Sequence, residues 1–366
     1  MGRTIGVRHR VKRTAEGESR PTQVAILMQK GKVKLLDLPD EDAELQFVLG
    51  DFKGEGVRKG DTVAMVLGGS GDYLAFALSR RAQEIGARVM RVPSFTLKKH
   101  RATEKKDDDA SELARLATEM PEVFYPVTDR DLSLVLVRET FTARTDAMKA
   151  RIACEQRLRQ RLIGNIFCSS DGLVPEGGVE KAFAERKASD AILQALLKEE
   201  SDRERDLAKA VEKLDVFQKV FEPVVGCGPK IAARIIASVV DIRRFETEPK
   251  FKKFCGVHCL DDGSFARRRA GQVANWHPDC RQALYLIAEQ FNRRPDSEWG
   301  MKLREYKKKL RLAHPEVVLT EKNKKRYTDG HIHKMALWRT ATKFAEYIYM
   351  AWWDLEREVA REEKAA

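Results

Sequence analysis

"DTVAMVLGGSGDYLAFALSRRAQEIGARVMRVPS", Asp61 to Ser94, changes its hydrophobic period twice within a short run. "DTVAMVLGG" is nearly unbroken in apolar residues, as a buried strand is, and it stops at a glycine pair. "DYLAFALSRRAQEIG" then spaces its apolar residues by three and four, as a helix with one buried face does, and "ARVMRVPS" returns to a strand. Before this run, "TIGVRH", "TQVAILMQ" and "KVKLLDL" read as further strands, the last two joined across "KGK". After it, "DASELARLATEM" reads as a helix capped by acids. Strands interleaved with helices predict a mixed sheet with helices packed on it over residues 1–128.

The texture changes from Asp129. "DLSLVLVRETFTARTDAMKARIACEQRLRQRLIG" and "VEKAFAERKASDAILQALLKEESDRERDLAKAVEKLDVFQKV" are long, charged and apolar-periodic, and "SSDGLVPEGG" interrupts them with glycine and proline. Residues 129–220 are therefore expected to form two long helices in an antiparallel hairpin, a coiled-coil arm longer than a compact domain needs. Such an arm suits dimerisation, and it equally suits a bundle packed on its own chain. From residue 221 to 366 the chain reads as helical and basic.

Lys and Arg number 68 against 56 Asp and Glu in 366 residues, a formal charge of +12, which points to an acidic polymer as partner. The length and the 43% hydrophobic content allow two or three domains with real cores. No apolar run reaches membrane-spanning length, and "MGRTIGVRHRVKRT" lacks the apolar segment of a secretory signal, so the expected location is the cytoplasm. Six cysteines without secreted spacing fit free thiols in a reducing compartment.

In the basic region, "VVGCGPKIAARII", Val224 to Ile236, sets a glycine-x-glycine turn between an apolar approach, "FQKVFEPVV", and a helix. This is the form of a helix-hairpin-helix element. Gly226 and Gly228 would let the backbone amides approach a phosphate, and Lys230 would add charge. An ordinary helix start with Pro229 at its first position accounts for the same residues without a ligand. Further on, Ser264 follows "DDG" and precedes Phe265, Ala266 and the triplet Arg267, Arg268, Arg269. Guanidinium groups beside a hydroxyl can hold a scissile phosphate for a nucleophile, or simply grip phosphate. "CGVHC" and "HPDC" place Cys255, His258, Cys259, His277 and Cys280 in two clusters, in an order that matches no common zinc finger, so buried thiols are the expectation. Between Met301 and Arg326 there are ten Lys or Arg against three Glu, including Lys307, Lys308, Lys309, Lys324, Lys325 and Arg326, with Tyr306 and Tyr327 beside them. That mixture suits backbone neutralisation and base stacking, or a solvated helix face. The aromatic residues of "HKMALWRTATKFAEYIYMAWWDLERE" read as core.

"VVGCGPKIAARIIASVVDIRRFETEPKFKKFCGV", a serine eight positions after Gly256, "CRQALYLIAEQF" and "HKMALWRTATKFAEYIY" together resemble the C-terminal domain of the insertion sequence one-ten transposases, DNA recombinases guided by a bridge RNA. The order of "IGVRHRVK", "VAMVLGGSGDYLAFAL", "GARVMRVPSFTLKKHR" and "KKDDDASELARLA" is similar to their N-terminal half. The resemblance implies a RuvC-like, RNase H-type first domain with metal ions on four carboxylates, a dimerising arm, and a serine domain that joins DNA. Two-metal phosphoryl chemistry needs those carboxylates clustered. At the matching positions this chain has Arg8 for the first aspartate, Gly68 for the glutamate and Lys106 for one of the closing pair. Asp109 matches the other, and Asp107 or Asp108 would serve only with a shift in register. Ser264 matches the family serine, while the glycine that follows it there is Phe265 here.

The C-terminal domain also resembles that of the Tas proteins of tandem-interspaced-guide-RNA systems, which is similar to the Nop domain of guide-RNA ribonucleoproteins. The expectation is an RNA-guided DNA-binding homodimer with an inactive RuvC-like domain and a Nop-like domain. Its partners would be a guide RNA and a target DNA, with no cofactor. Lys230, Arg267, Arg268, Arg269, Lys307, Lys308, Lys309, Lys324, Lys325 and Arg326 would contact nucleic-acid backbone. The alternative is an active recombinase using Ser264, with Asp109 helping to hold magnesium.

Overall fold

The computed structural model describes residues 2–10, 19–28, 32–101, 106–170, 175–260, 264–267, 271, 274–319 and 325–365. Its chain divides into two compact units, Met1–Val135 with Val240–Phe251, and Leu136–Val239 with Lys252–Ala366.

In the first unit Thr4–Arg8 (β1), Thr22–Leu27 (β2) and Val33–Leu38 (β3) form an antiparallel meander, Thr4 opposite Leu27 and Thr22 opposite Leu38. Glu41–Leu49 (α1) leads to Thr62–Val66 (β4), which lies parallel to β1 with Val63 opposite Ile5. Asp72–Ile85 (α2) leads to Arg88–Val92 (β5), parallel to β4. Ser94–His100 (α3), Asp109–Glu119 (α4) and Tyr125–Pro126 (β6) follow, and β6 pairs antiparallel with β5. The result is a six-stranded mixed sheet in the order β3-β2-β1-β4-β5-β6.

Alternation along β4 sends its residues into two cores. Val63 and Met65 join Ile5, Val7, Phe47 and Leu78 on the α1/α2 side, whereas Ala64 joins Val92, Leu113 and Leu116 on the α4 side. Gly6 determines how close α4 comes, because a Cβ there would stand 1.9 Å from the Ala110 carbonyl oxygen. Only glycine permits that approach, and it brings the first residues of α4 to the end of β1.

Helices α1 and α3 are additions to the sequence reading. The first had a visible signal: the Asp40 side chain accepts from the Ala43 N–H at 2.8 Å, and Gly50 ends the helix at φ 95°.

The long helix Asp129–Phe167 (α5), all but its first seven residues in the second unit, would measure about 58 Å at 1.5 Å per residue. Its partner strand of the hairpin is two helices, Gly178–Ser189 (α6) and Ala191–Glu212 (α7), not the single helix expected over 179–220. The break lies at Asp190, whose backbone is extended and whose side chain accepts from the Leu193 N–H at 2.9 Å. An N-cap in mid-run starts a new helix where the periodicity alone would continue the old one. The pairing is antiparallel: Arg144 and Arg151 meet Glu200, Lys187 meets Glu155, and Arg159 meets Glu180.

A π-helical turn over Phe217–Phe221 precedes Pro229–Val239 (α8), and Glu248–Cys255 (α9), Pro278–Asn292 (α10) and Glu298–Ala313 (α11) follow. The ribbon of Val318–Leu319 (β7) and Lys325–Arg326 (β8) leads into Asp329–Ala365 (α12), so the final region is not wholly helical. The closing aromatics, whose spacing suggests core, are core only in part: Trp338, Tyr347, Tyr349 and Trp353 are half-buried. Phe344 and Trp352 are fully buried, with Phe344 5.3 Å from Phe291 and 5.0 Å from Trp299 between ring centres. Among the described residues no helix is long and apolar enough to cross a membrane.

Candidate nucleic-acid interface

Arg8 ends β1, and the approach of α4 sets it beside the acidic run that opens that helix. Its guanidinium lies 3.4 Å from the Asp107 carboxylate, which Arg20 also holds. Asp109 is buried and gripped on both oxygens by Arg101, at 2.6 and 2.9 Å. Burial raises the Asp109 carboxyl above its usual range, and this outweighs the opposing pull of Arg101, Arg8 and Lys106. Lys106 and Asp108 belong to the 3-10 turn that leads into α4. At the end of β4, Gly68 adopts φ 84°, and a Cβ there would stand 2.7 Å from the Arg244 side chain. Arg244 therefore covers the position at which the family resemblance calls for a glutamate. Arg101 and Arg244 carried no sign of this role in the sequence, because each reaches the sheet end from another segment.

In the second unit the glycine turn joins the π-helical turn to α8. Gly226 sits at φ 99°, in the left-handed region, with Arg294 and Gln290 beside it. Gly228 has ordinary φ and open space where a side chain would lie, so Gly226 is the glycine the turn requires. Both the Ile231 and Ala232 N–H groups donate to the Gly228 carbonyl, at 3.1 Å each. Lys230 is exposed and ion-paired with Glu204. Cys227 points inward, and burial pushes its thiol up to about 12.

Ser264 is half-buried on a short stretch tied down on both sides. Its carbonyl accepts from the Leu260 N–H at 2.8 Å, Phe265 bridges to Cys259, and the Ala266 carbonyl accepts from Arg281 at 2.7 Å. The Arg281 guanidinium is stacked between Trp276 and Trp338, 4.5 and 4.6 Å from the ring centres, and burial lowers its pKa. Neither Arg281 nor the two tryptophans were candidates in the sequence, where Trp276 stands five positions before Arg281 but Trp338 lies dozens of residues beyond it. Cys255 and Cys280 are buried side by side with sulfurs 3.4 Å apart, while Cys259 is exposed. Among the described residues no three His, Cys, Asp or Glu side chains gather as a metal ion would need.

The glycine turn, α8, the Ser264 stretch and α10 form one continuous portion of sequence. Residues 218–302 match the model of the transposase IS116/IS110/IS902 family. No curated protein matches the chain. The matched portion begins in the π-helical turn and ends in α11, so it contains Gly226, Gly228, Lys230, Ser264 and Arg267. Arg267 is exposed, whereas Arg268, Arg269 and Lys324 lie outside the described residues. Beyond the matched portion, Lys307 donates to Asn292 at 3.2 Å and burial lowers its pKa. Lys309 pairs with Glu305, and Lys308, Lys325 and Arg326 are exposed. Arg326 lies over Tyr327, which stacks on His314 with ring centres 3.8 Å apart. The structure thus distributes the described candidate cations among the glycine turn, the Ser264 stretch, α11 and the ribbon between α11 and α12.

Proposed function

We propose that this chain is an RNA-guided DNA-binding protein that holds a structured guide RNA and a target DNA and has no nuclease activity of its own. The observation that carries the reading is the state of the acidic groups at the sheet end. Asp109 is bound on both oxygens by Arg101, Asp107 is shared by Arg8 and Arg20, and Arg244 lies over Gly68. Divalent cations need unclaimed carboxylates in a cluster, and a donor set answered by guanidinium groups does not fit them. The same cations suit phosphate. The strand order, with a parallel pair beside an antiparallel meander, supports an RNase H-type, RuvC-like domain, and the matched transposase segment supports descent from a recombinase.

In this reading the basic second unit, Nop-like in its role, clamps the RNA through phosphates and 2′-hydroxyls, and base pairing selects the DNA. The arm pairs two copies through apolar residues left exposed on it, among them Leu136, Phe167, Ile192 and Leu197.

A working recombinase is the second reading, favoured by the transposase family of residues 218–302. In it Ser264 Oγ attacks a DNA phosphate and forms a phosphoserine ester, as the bond from phosphorus to one sugar oxygen breaks and that oxygen leaves as the hydroxyl of the cut strand. Purified protein with its co-purifying RNA, a target duplex and magnesium separates the two. RNA of defined length and duplex binding without nicking or strand exchange are expected. Strand exchange abolished by Ser264→Ala would establish the recombinase instead.

A further inference from the structure

On the opposite side of the sheet end from Asp109, a cavity of about 870 Å³ opens between α1 and α2. Its walls are Leu45, Val48, Leu74, Ala77 and the half-exposed ring of Tyr73. Its polar end is a connected set of donors and acceptors. His9 Nδ1 and Ser70 Oγ share a hydrogen bond of 2.9 Å, and Thr22 donates to Glu44 at 2.5 Å. Arg10 bridges Glu41 at 2.6 Å and Glu44 at 3.6 Å. Burial lowers the His9 pKa despite the nearby Glu44, so near neutral pH the ring offers one donor and one acceptor. Gly71 makes room for this arrangement, since a Cβ there would come within 3.1 Å of the His9 side chain.

We infer that this cavity receives one unstacked nucleobase of the bound strand, a role that rests on the nucleic-acid-binding reading above. Apolar walls with a ring at the rim suit the faces of a base, and adjacent donors and acceptors suit its edge. The carboxylates disfavour an anion inside, because Glu41 and Glu44 outnumber Arg10 there. Charge for the backbone lies next in sequence, on the other side of the sheet end: Arg8 precedes His9, and Arg8, Arg20 and Arg101 face the two carboxylates of Asp107 and Asp109, leaving positive charge over. Phosphates on the arginines and a base in the cavity place a strand across the end of β1.

The test uses the full-length protein and fluorescein-labelled 20-nucleotide single strands of mixed sequence, as RNA and as DNA, with an abasic strand of the same length for comparison. Ala77→Trp puts an indole against the wall where the base would lie, and Tyr73→Ala, at a half-exposed position, removes a wall with little demand on folding. Each variant is expected to weaken binding of the base-bearing strand about tenfold while leaving the slope of log K against log salt unchanged. On the abasic strand the variants and the wild type should bind alike. Wild-type affinity for the base-bearing strand in both variants would overturn the inference, as would an equal loss on the abasic strand. Failure of the wild type to bind any strand would remove the parent reading and this one with it.

Discussion

Arg243 is held in the first unit by two carboxylates and an aromatic ring. It meets Asp131 at 2.5 Å and Asp241 at 2.7 Å and lies over the Tyr125 ring, while Arg91 meets Asp131 at 2.9 Å and Asp72 at 3.4 Å. These charges alternate and are nearly all buried, so each is tolerated only because its neighbours answer it. Arg243→Met leaves Asp131 and Asp241 short of a counter-ion and is expected to cost about 3–5 kcal/mol. Burial alone would raise the Asp241 carboxyl, but Arg243 overrides it and holds the folded-state pKa below the usual value. The stability from this carboxylate is then fully present above about pH 4 and is lost as pH falls through the lower folded value. Asp241→Asn should therefore be clearly less stable than wild type at pH 7, with the gap closing toward pH 3. Urea melts at the two pH values measure it, and an unchanged gap would refute the linkage. None of this was legible in the sequence, because Asp131 and Arg243 stand 112 positions apart and no local pattern joins them.

At the scale of elements, legibility followed the strength of the local signal. β1, β2 and β4 are visible as short apolar runs because both of their faces are buried, and α2 as a spaced apolar face because only one of its faces is. The helices α1 and α3 are short, and α1 is recognised by Asp40 and Gly50 at its ends more than by a hydrophobic stripe. The π-helical turn before the glycines has no sequence rule to announce it. Asp190 shows the opposite failure, in which a strong period conceals a boundary. Its capping bond to Leu193 starts α7, and the Ser189 and Gln194 side chains close α6 by donating to the Arg186 and Lys187 carbonyls. Asp190→Ala is expected to lower stability by about 1 kcal/mol. Urea unfolding followed by circular dichroism would show it, and Asp190→Asn, which keeps an accepting oxygen, should recover most of the loss.

At the scale of the molecule, a linear reading meets its limit in the first unit, which takes back Val240–Phe251 after the chain has left it. The residues that return include Arg243 and Arg244, so the candidate site was only partly legible: Arg8, Gly68, Lys106 and Asp109 stand out by position, and the guanidinium groups that answer them do not. Net charge, by contrast, belongs to the whole chain, and +12 sets the scale of its attraction to phosphate. That attraction should divide unequally among the cations. Lys308 and Lys325 are exposed and carry no ion pair among the described residues, whereas Lys230 and Lys309 already face Glu204 and Glu305. A lysine that must leave a carboxylate to reach a phosphate gains less from the exchange. If Lys308 and Lys325 each neutralise one phosphate of a single strand, replacing both by alanine reduces the slope of log K against log salt by about 1.4. Replacing Lys230 and Lys309 should change it by less. Anisotropy titrations of a 20-nucleotide RNA between 50 and 300 mM salt, to take a range of about sixfold, would measure both slopes. Equal changes for the two pairs would mean that ion pairing in the free protein does not decide which lysines meet the nucleic acid.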